Sequence, residues 1–236
     1  MTTTTHSNTD TTAKKSLDPG SLSVVASSLF PDAGTLAKAK ARYRPYICPF
    51  HVLLPIVPER SRALDIGCGN GLLLGLLAAS GRIASGAGYD LTEDLVGQAR
   101  TMAGRLDTGT PLDFHVGDSH ACVPVAGGAF DVVLMVDVLH HVPPPIQESF
   151  WRGAASRVRP GGLMIYKDMV NYPDWRAYTN VMHDILLAGQ RSRYVPITMV
   201  EEWGKSEGLV LRRSERINML WYGHELRVFE RPGQAT

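Results

Sequence analysis

The chain has 236 residues, of which 44% are hydrophobic, so it is long enough to bury one α/β core. Its net charge of +1 gives no global field that would favour nucleic acid or acidic membranes, and we expect neither as a partner. The three cysteines, Cys48, Cys68 and Cys122, form no C-x-x-C pair, which fits a reducing cytoplasm and argues against a disulfide scaffold or a zinc cluster.

The first twenty residues are predicted to form a disordered tail. They are polar and rich in threonine, and they lack the apolar core of a signal peptide. Residues 21–60 favour short helices interrupted by prolines, which predicts a helical cap on the core that follows. The interrupting prolines are Pro31, Pro45, Pro49, Pro55 and Pro58. Apolar stretches fall far short of a membrane span, so we expect a cytoplasmic protein.

From residue 61 to residue 232, predicted strands alternate with predicted helices. The strands are predicted at 62–66, 86–90, 112–116, 130–136, 161–169, 209–217 and 224–231. The helices are predicted at 72–79, 93–103, 147–157, 174–188 and 198–206. Strands and helices that alternate with short connections predict an α/β fold with a doubly wound, mostly parallel, seven-stranded sheet and helices on both faces. Ligands of such sheets bind at the carboxyl ends of the strands.

Three glycines occupy alternate positions between the first predicted strand and its helix, in the sequence LDIGCGNG. Gly67, Gly69 and Gly71 permit backbone turns that side chains obstruct, and they let a ligand approach the backbone closely. A dinucleotide fingerprint, G-x-G-x-x-G, requires glycine at position 72, where the chain has Leu72. The pattern D-x-G-x-G-x-G therefore indicates another ligand.

This segment and the later strand ends resemble the class I S-adenosylmethionine (SAM)-dependent methyltransferases. LDIGCGNG resembles the first motif of the family, GYD its acidic ribose-binding position, GDSH its adenine-binding position and VDVLHHV the segment after its fourth strand. RVRPGGLMIYKD resembles the turn into its fifth strand, and YGHELRVFER resembles its seventh. The resemblance covers about residues 43–229. It implies an antiparallel last strand, SAM as methyl donor and a methyltransferase domain at 61–232.

The resemblance implies which residues hold the methionine portion of SAM. The glycine loop, residues 67–71, would place its backbone against that portion, Cys68 included. Asp65 would order this loop and the ammonium of the donor. Arg44 would bind the carboxylate, since a guanidinium suits that anion. The alternative for Arg44 is a solvated surface charge.

The nucleoside portion of SAM is assigned to residues after the second, third and fourth strands. Asp90 would accept both ribose hydroxyls, because a carboxylate has two acceptor oxygens. Asp118 would accept from the adenine amine, with the backbone N–H of Ser119 on a ring nitrogen. Leu91 and Val136 would line the adenine and the donor channel. Asp118 has the alternative role of a turn residue.

The N-terminus of the helix at 93–103 offers an alternative role for Asp90. Either Asp90 or Thr92 could cap this helix, and Thr92 suits that role better because an acidic first turn follows it directly. The ribose role for Asp90 and the cap role for Thr92 are therefore expected together.

Polar side chains at the strand ends supply the candidates for catalysis. Methyl transfer from a sulfonium is an in-line displacement, so the protein mainly aligns the acceptor and, where needed, deprotonates it. Histidine is the natural base near neutral pH, and we favour His140. The alternative is a packed histidine that caps the next helix. The full set is Asp137, His140, His141, Lys167, Asp168 and Tyr172.

An insertion at about 171–195 is predicted to form a lid on the acceptor pocket. Trp175, Tyr178 and Met182 recur at helical spacing, which indicates either core packing or an aromatic-lined acceptor site. In the second interpretation His183 binds or deprotonates the acceptor. His183 and Asp184 are adjacent, but no other acidic residues or histidines lie at the spacing that would complete a set of metal ligands, so no metal site is predicted.

These patterns favour an enzyme that methylates a small organic acceptor, with oxygen as the preferred target, in bacterial secondary or envelope metabolism. N-methylation, C-methylation and a non-methylating SAM-binding member that catalyses cyclisation or rearrangement remain open. Nucleic-acid and protein methylation are less favoured, because the chain has V-D-V-L where nucleic-acid amine enzymes of this fold have an N/D-P-P-Y/F motif. A homodimer is left open.

Overall fold

The computed structural model describes residues 17–32, 34–117, 130–170 and 194–233. Its helices are α1 Pro19–Leu29, α2 Thr35–Ile47, α3 Phe50–Ile56, α4 Leu72–Ala79, α5 Glu93–Ala103, α6 Gln147–Ala155 and α7 Ile197–Ser206. Its strands are β1 Ser61–Ile66, β2 Ile83–Asp90, β3 Leu112–Val116, β4 Phe130–Val136, β5 Val158–Met169, β6 Val210–Met219 and β7 Tyr222–Glu230. Two short 3₁₀ turns, Leu139–His141 and Pro144–Ile146, follow β4.

The strands form one sheet in the order β3-β2-β1-β4-β5-β7-β6. Strands β1 to β5 run parallel, and β7 runs antiparallel to both of its neighbours, β5 and β6. The predicted doubly wound sheet and its antiparallel last strand are therefore confirmed. The chain reverses direction across the sheet between β1 and β4, so a crevice for ligands is expected at the carboxyl ends of these two strands.

Both faces of the sheet are covered, which explains why β4 is a continuous apolar run. Four consecutive residues of β4, Val132 to Met135, are completely buried. Val132 and Leu134 pack in the core beneath α1–α5, whereas Val133 and Met135 pack in the core beneath α6 and α7. In this second core the Trp151 ring packs edge-on against Phe229, with ring centroids 5.6 Å apart.

The N-terminal helices share the core of the sheet. Leu22, Ala26 and Leu29 of α1 are buried in the same cluster as the leucines of α4. Asp18 caps α1 by accepting from the N–H groups of Gly20 and Ser21 at 2.9 and 3.1 Å, so the helix begins at its first-turn proline, Pro19.

The expectation that every proline interrupts a helix is wrong at two positions. Pro45 and Pro55 lie inside α2 and α3, in the last turn of each. Near a helix end the missing N–H removes one backbone hydrogen bond without breaking a long ladder.

The elements around the predicted ligand edge match the expectations closely. Helices α4 and α5 have the predicted bounds, and α6 ends two residues earlier than predicted. The helix predicted at 174–188 lies outside the described residues. Within the described ranges, the helices are too short or too polar to cross a bilayer.

Candidate active site

The glycine loop turns sharply between β1 and α4. Gly67, Gly69 and Gly71 have φ angles of +71°, +53° and +79°, which side chains rarely adopt. A Cβ atom at Gly67 would lie 2.5 Å from Cγ2 of Val138, so the loop after β4 packs directly on this backbone. A Cβ atom at Gly69 would have no neighbour within 4 Å. The loop is thus tightly held on one side and open on the other.

A cavity of about 370 Å³ lies on the open side of the glycine loop. Six residues of the predicted donor site line it, namely Arg44, Asp65, Gly67, Cys68, Gly69 and Val136. Gly71, Asp90 and Leu91 are not among its lining residues, and the side chain of Leu91 is exposed to solvent. Two further lining residues, Lys40 on α2 and Leu95 on α5, were not predicted from the sequence as part of the site.

Asp65 brings a buried carboxyl group to the floor of this cavity. It is the penultimate residue of β1, and only 3% of the residue is exposed. Burial, together with the smaller effect of the nearby carboxylate of Asp90, raises the pKa of Asp65 to about 8. Burial likewise raises the pKa of the Cys68 thiol, with Asp65 adding to the effect, so the thiol stays protonated near neutral pH.

Asp90 holds the glycine loop to the end of β2. Its Oδ2 accepts from the N–H of Gly69 at 2.9 Å, and its Oδ1 accepts from the N–H of Thr92 at 2.9 Å. Thr92 occupies the predicted N-cap of α5, but its side chain makes no capping hydrogen bond. Because a carboxylate has about four lone-pair sites, Asp90 can make these two bonds and still accept from a ligand hydroxyl.

Arg44 meets a carboxylate of the chain itself. Its Nη2 lies 2.8 Å from Oδ2 of Asp137, and the Nζ of the fully buried Lys167 lies 2.5 Å from Oδ1 of the same residue. Burial alone raises the pKa of Asp137, but Lys167 and Arg44 outweigh it and hold that pKa well below its usual range. Asp137 also has a φ of +57°, so the ion pairs fix a left-handed turn at the end of β4.

His224 and Cys48 lie close to this charge cluster and stay neutral. Burial, reinforced by Lys167, lowers the pKa of His224 to about 3. Burial raises the pKa of Cys48 to about 11, although Lys167 opposes the change. The charges of the cluster therefore reside on Arg44, Asp137 and Lys167.

His140 is paired with Asp168. The Nδ1 atom of His140 lies 2.5 Å from Oδ1 of Asp168, and both side chains are almost completely buried. The N–H of Met169 donates to the same oxygen at 2.8 Å, and the hydroxyl of Tyr166 donates to Oδ2 at 3.3 Å. His141 is exposed, with its ring centroid 4.0 Å from that of His140. The two neighbouring histidines therefore differ in environment: His140 is buried against a carboxylate of β5, whereas His141 lies at the surface.

The end of β5 clamps the loop after β4 at two points. Lys167 and Asp168 are adjacent in a strand, so their side chains point to opposite faces of the sheet. Lys167 holds Asp137 on one face, and Asp168 holds His140 on the other. The N–H of Asp137 also donates to the carbonyl of Lys167 at 2.9 Å. The position of His140 is thus fixed by side chains and backbone together.

A second cavity of about 250 Å³ lies against Asp168. Tyr166, Asp168 and Glu225 contribute its polar wall, and residues 195–198 at the start of α7 contribute an apolar one. Glu225 is itself paired with Arg227 at 2.9 Å. Val195, the last residue of the predicted insertion, therefore lines the same cavity as Asp168.

Several of the predicted site residues belong to the two internal segments 118–129 and 171–193, which the structure does not describe. Asp118, Ser119 and His183 lie outside the described residues, as do Tyr172, Trp175, Tyr178 and Met182 of the insertion. Within the part of the chain that the structure describes, no three acidic, histidine or cysteine side chains are grouped closely enough to hold a metal ion.

Sequence comparisons identify relatives of the central segment. Residues 63–162 match the family described as Methyltransferase domain. The ubiquinone biosynthesis O-methyltransferase of Aromatoleum aromaticum is 37% identical over 105 residues, which cover 44% of this chain and 42% of that protein. The enzyme of the same name from Hydrogenovibrio crunogenus is 32% identical over 138 residues, or 58% of this chain and 53% of that protein. The chain spans about half the length of these curated relatives.

Comparison with solved structures extends the similarity to most of the fold. Magnesium protoporphyrin IX methyltransferase from Synechocystis PCC 6803 with bound SAH superposes with a TM-score of 0.65 at 20% identity. The match covers 86% of this chain and 91% of that one. This match is longer than residues 63–162 and therefore includes elements on both sides of that segment.

Proposed function

We propose that this chain, which contains a methyltransferase domain with the class I fold, transfers the methyl group of SAM to an oxygen atom of a small organic acceptor and releases S-adenosylhomocysteine. The observation that carries the proposal is the junction of two features at one sheet edge. The glycine loop faces a charged cavity, and the neighbouring loop after β4 presents a histidine held by a carboxylate.

The cavity residues, together with Asp90, which accepts from the N–H of the lining residue Gly69, fit the polar groups of SAM. Asp65 offers an acidic group to the ammonium, and Asp90 retains acceptor capacity for the ribose hydroxyls. Lys40 and Arg44, four residues apart on α2, both line the cavity and supply positive charge for the carboxylate. When bound, SAM supplies an electrophilic methyl group on a sulfonium sulfur. Asp118 and Ser119 are proposed for the adenine on the resemblance alone.

The His140–Asp168 pair supports an oxygen as the methylated atom. With Nδ1 engaged by Asp168, the neutral imidazole carries its lone pair on Nε2, where it can accept a proton. A hydroxyl acceptor loses a proton as it is methylated, so it benefits from such a base, whereas an amine with a free lone pair does not require one. We propose His140 as that base and Asp168 as the residue that positions it, with His183 of the insertion as an acceptor-binding residue.

The proposal is tested by a turnover assay with SAM carrying a deuterated methyl group. Phenols come first in the acceptor panel because the relatives are named O-methyltransferases. Carboxylates and amines follow. Metabolite extracts complete the panel and supply candidate acceptors from secondary and envelope metabolism. We expect one labelled product with the label on oxygen and an equal amount of S-adenosylhomocysteine. A label on nitrogen or carbon would overturn the oxygen assignment. An acceptor rearranged at constant mass would instead identify a non-methylating enzyme.

The pKa of Asp65 predicts how SAM affinity depends on pH. The pKa of Asp65 is about 8, so at lower pH its carboxyl group is mostly protonated in the free protein. A bound cationic ligand favours the ionised form instead. Binding therefore releases a proton, and affinity rises with pH until Asp65 is already ionised. We expect affinity to rise roughly 50- to 100-fold between about pH 5.5 and 7.5. Over this range the donor keeps its own ammonium, whose ordinary pKa is about 7.7–8.0.

Calorimetry in buffers of different ionisation enthalpy measures both the affinity and the proton release. Asp65→Asn is the matched variant, because it keeps the shape of the side chain and does not titrate. Its affinity should be independent of pH over the same range. The same pH dependence in both proteins would show that another group titrates.

A further inference from the structure

Helix α2 presents an apolar stripe to solvent. Leu36, Ala39, Tyr43 and Tyr46 follow one another at spacings of three and four residues, so they share one face of the helix. All four are exposed, Leu36 at 71%, Tyr43 at 42% and Tyr46 at 40%. The opposite face is the buried one, with Ala41 and Pro45 against the core. A helix of a globular domain usually has polar residues on its outer face, so this stripe needs an explanation.

Two rows of positive charge border the stripe. Lys38 and Arg42 are four residues apart on one side, and Lys40 and Arg44 are four apart on the other. The helix has no acidic residue, and α1, which packs beside it, has no charged residue at all. Among the described residues, no carboxylate pairs with Lys38, Lys40 or Arg42. The α2 surface, defined as residues 36–46, is therefore both apolar and cationic.

Two neighbouring arginines on β6 differ from the cations of α2. Arg212 and Arg213 on β6 are paired with Glu230 and Glu215 at 2.7 and 2.8 Å. Their charges are balanced by neighbouring carboxylates, whereas Lys38, Lys40 and Arg42 have no carboxylate partner within the described ranges. Positive charge is therefore concentrated on α2. The net charge of +1 for the whole chain understates the positive field at this helix.

We propose that the α2 surface docks onto an anionic lipid bilayer. An interfacial helix places apolar and aromatic side chains at the boundary between headgroups and acyl chains, with lysine and arginine on the lipid phosphates. Leu36, Tyr43 and Tyr46 match the first requirement, and the two flanking rows match the second. A nucleic acid would satisfy the charges but would leave the Leu36 side chain without an apolar partner. The proposal departs from the expectation of no membrane partner, which rested on net charge.

The site and the surface share two residues. Lys40 and Arg44 line the donor cavity and also form one charged border of the stripe. Docking through α2 would therefore bring the mouth of the cavity close to the lipid surface. The association is peripheral, since α2 has 13 residues and four cations and is too short and too polar to span a bilayer.

The test is co-sedimentation of the full chain with phosphatidylcholine vesicles, with and without phosphatidylglycerol. We expect binding only to the anionic vesicles, and its loss in about 1 M salt, where charges are screened beyond about 3 Å. Lys38→Gln/Arg42→Gln should weaken partitioning roughly 30-fold, and Leu36→Ser roughly tenfold. None of these three residues lines the donor cavity, so SAM affinity should be unchanged and reports that the variants fold.

The matched control removes two charges elsewhere. Lys205 and Arg212 are exposed and lie on α7 and β6, and Lys205→Gln/Arg212→Gln gives the same net charge as the α2 double variant. We expect it to bind vesicles as the unmodified chain does. Equal losses in both double variants would overturn the proposal, because the attraction would then be non-specific. Absence of anionic-vesicle binding would also overturn it, as would binding to a DNA or RNA oligonucleotide without binding to vesicles. A dimer that buries α2 and ignores vesicles would likewise replace it.

Discussion

Replacing His140 with asparagine is expected to lower kcat by about a hundredfold or more, with little change in SAM affinity. The asparagine amide can occupy the place of Nδ1 and keep the hydrogen bond to Asp168, which lies 2.5 Å from that atom in the structure. The variant therefore lacks Nε2 without leaving a buried carboxylate unpaired, a defect that would destabilise the fold. Steady-state turnover and calorimetric SAM affinity, measured on the same preparation, separate a catalytic effect from a structural one.

His141 provides the matched control for this experiment. It is adjacent in sequence but exposed, and we expect His141→Asn to retain most of the turnover. Asp168→Asn should lower kcat as well, because an amide that donates toward Nδ1 favours the wrong tautomer of His140. If His141→Asn abolished turnover while His140→Asn did not, the roles of the two histidines would be reversed. A joint loss of turnover, SAM affinity and melting temperature in His140→Asn would make His140 structural.

The parts of the fold that depend on local pattern were predictable from the sequence. Helices 72–79 and 93–103 have the predicted bounds because a leucine-rich run follows Gly71 in the first and an acidic first turn follows Thr92 in the second. The strand 130–136 was equally clear, as an apolar run buried on both faces. The prediction that Pro45 and Pro55 interrupt helices was wrong because a proline in the last turn of a helix and a proline that ends a helix look the same in the sequence.

The pairing of the site residues was not predictable in the same way. Asp137, His140, Lys167 and Asp168 were all candidates, but nothing in the sequence assigns Lys167 to Asp137 and Asp168 to His140. That assignment depends on β4 and β5 being neighbours in the register that sets Val136 beside Lys167. It also depends on the alternation of side chains that sends adjacent residues to opposite faces. Lys40 could have been found, because it precedes Arg44 by one helical turn.

Asp90 is expected to bind the ribose of SAM and to hold the glycine loop as well. Asp90→Ala is expected to weaken SAM binding by about a hundredfold or more, since each hydrogen bond to a charged group contributes about 1.5–3 kcal/mol. The carboxylate is proposed to accept from the ribose, and it also accepts from Gly69 and Thr92. Its removal therefore frees a backbone N–H of the loop that faces the donor cavity, besides deleting the ribose contact.

Two further variants separate these contributions. Asp90→Asn keeps one acceptor oxygen, so it can still hold Gly69, but it loses the charge and one of the two oxygens offered to the ribose. We expect its SAM affinity to lie between those of the unmodified chain and Asp90→Ala. Asp94→Ala removes an exposed acid from the first turn of the same helix and controls for the loss of negative charge there. Calorimetric affinities for Asp90→Ala that equal those of Asp94→Ala would exclude Asp90 from the donor site. If the order holds, the carboxylate at the end of β2 acts on the ligand and on the glycine loop together, because its two oxygens have lone pairs for both sets of hydrogen bonds.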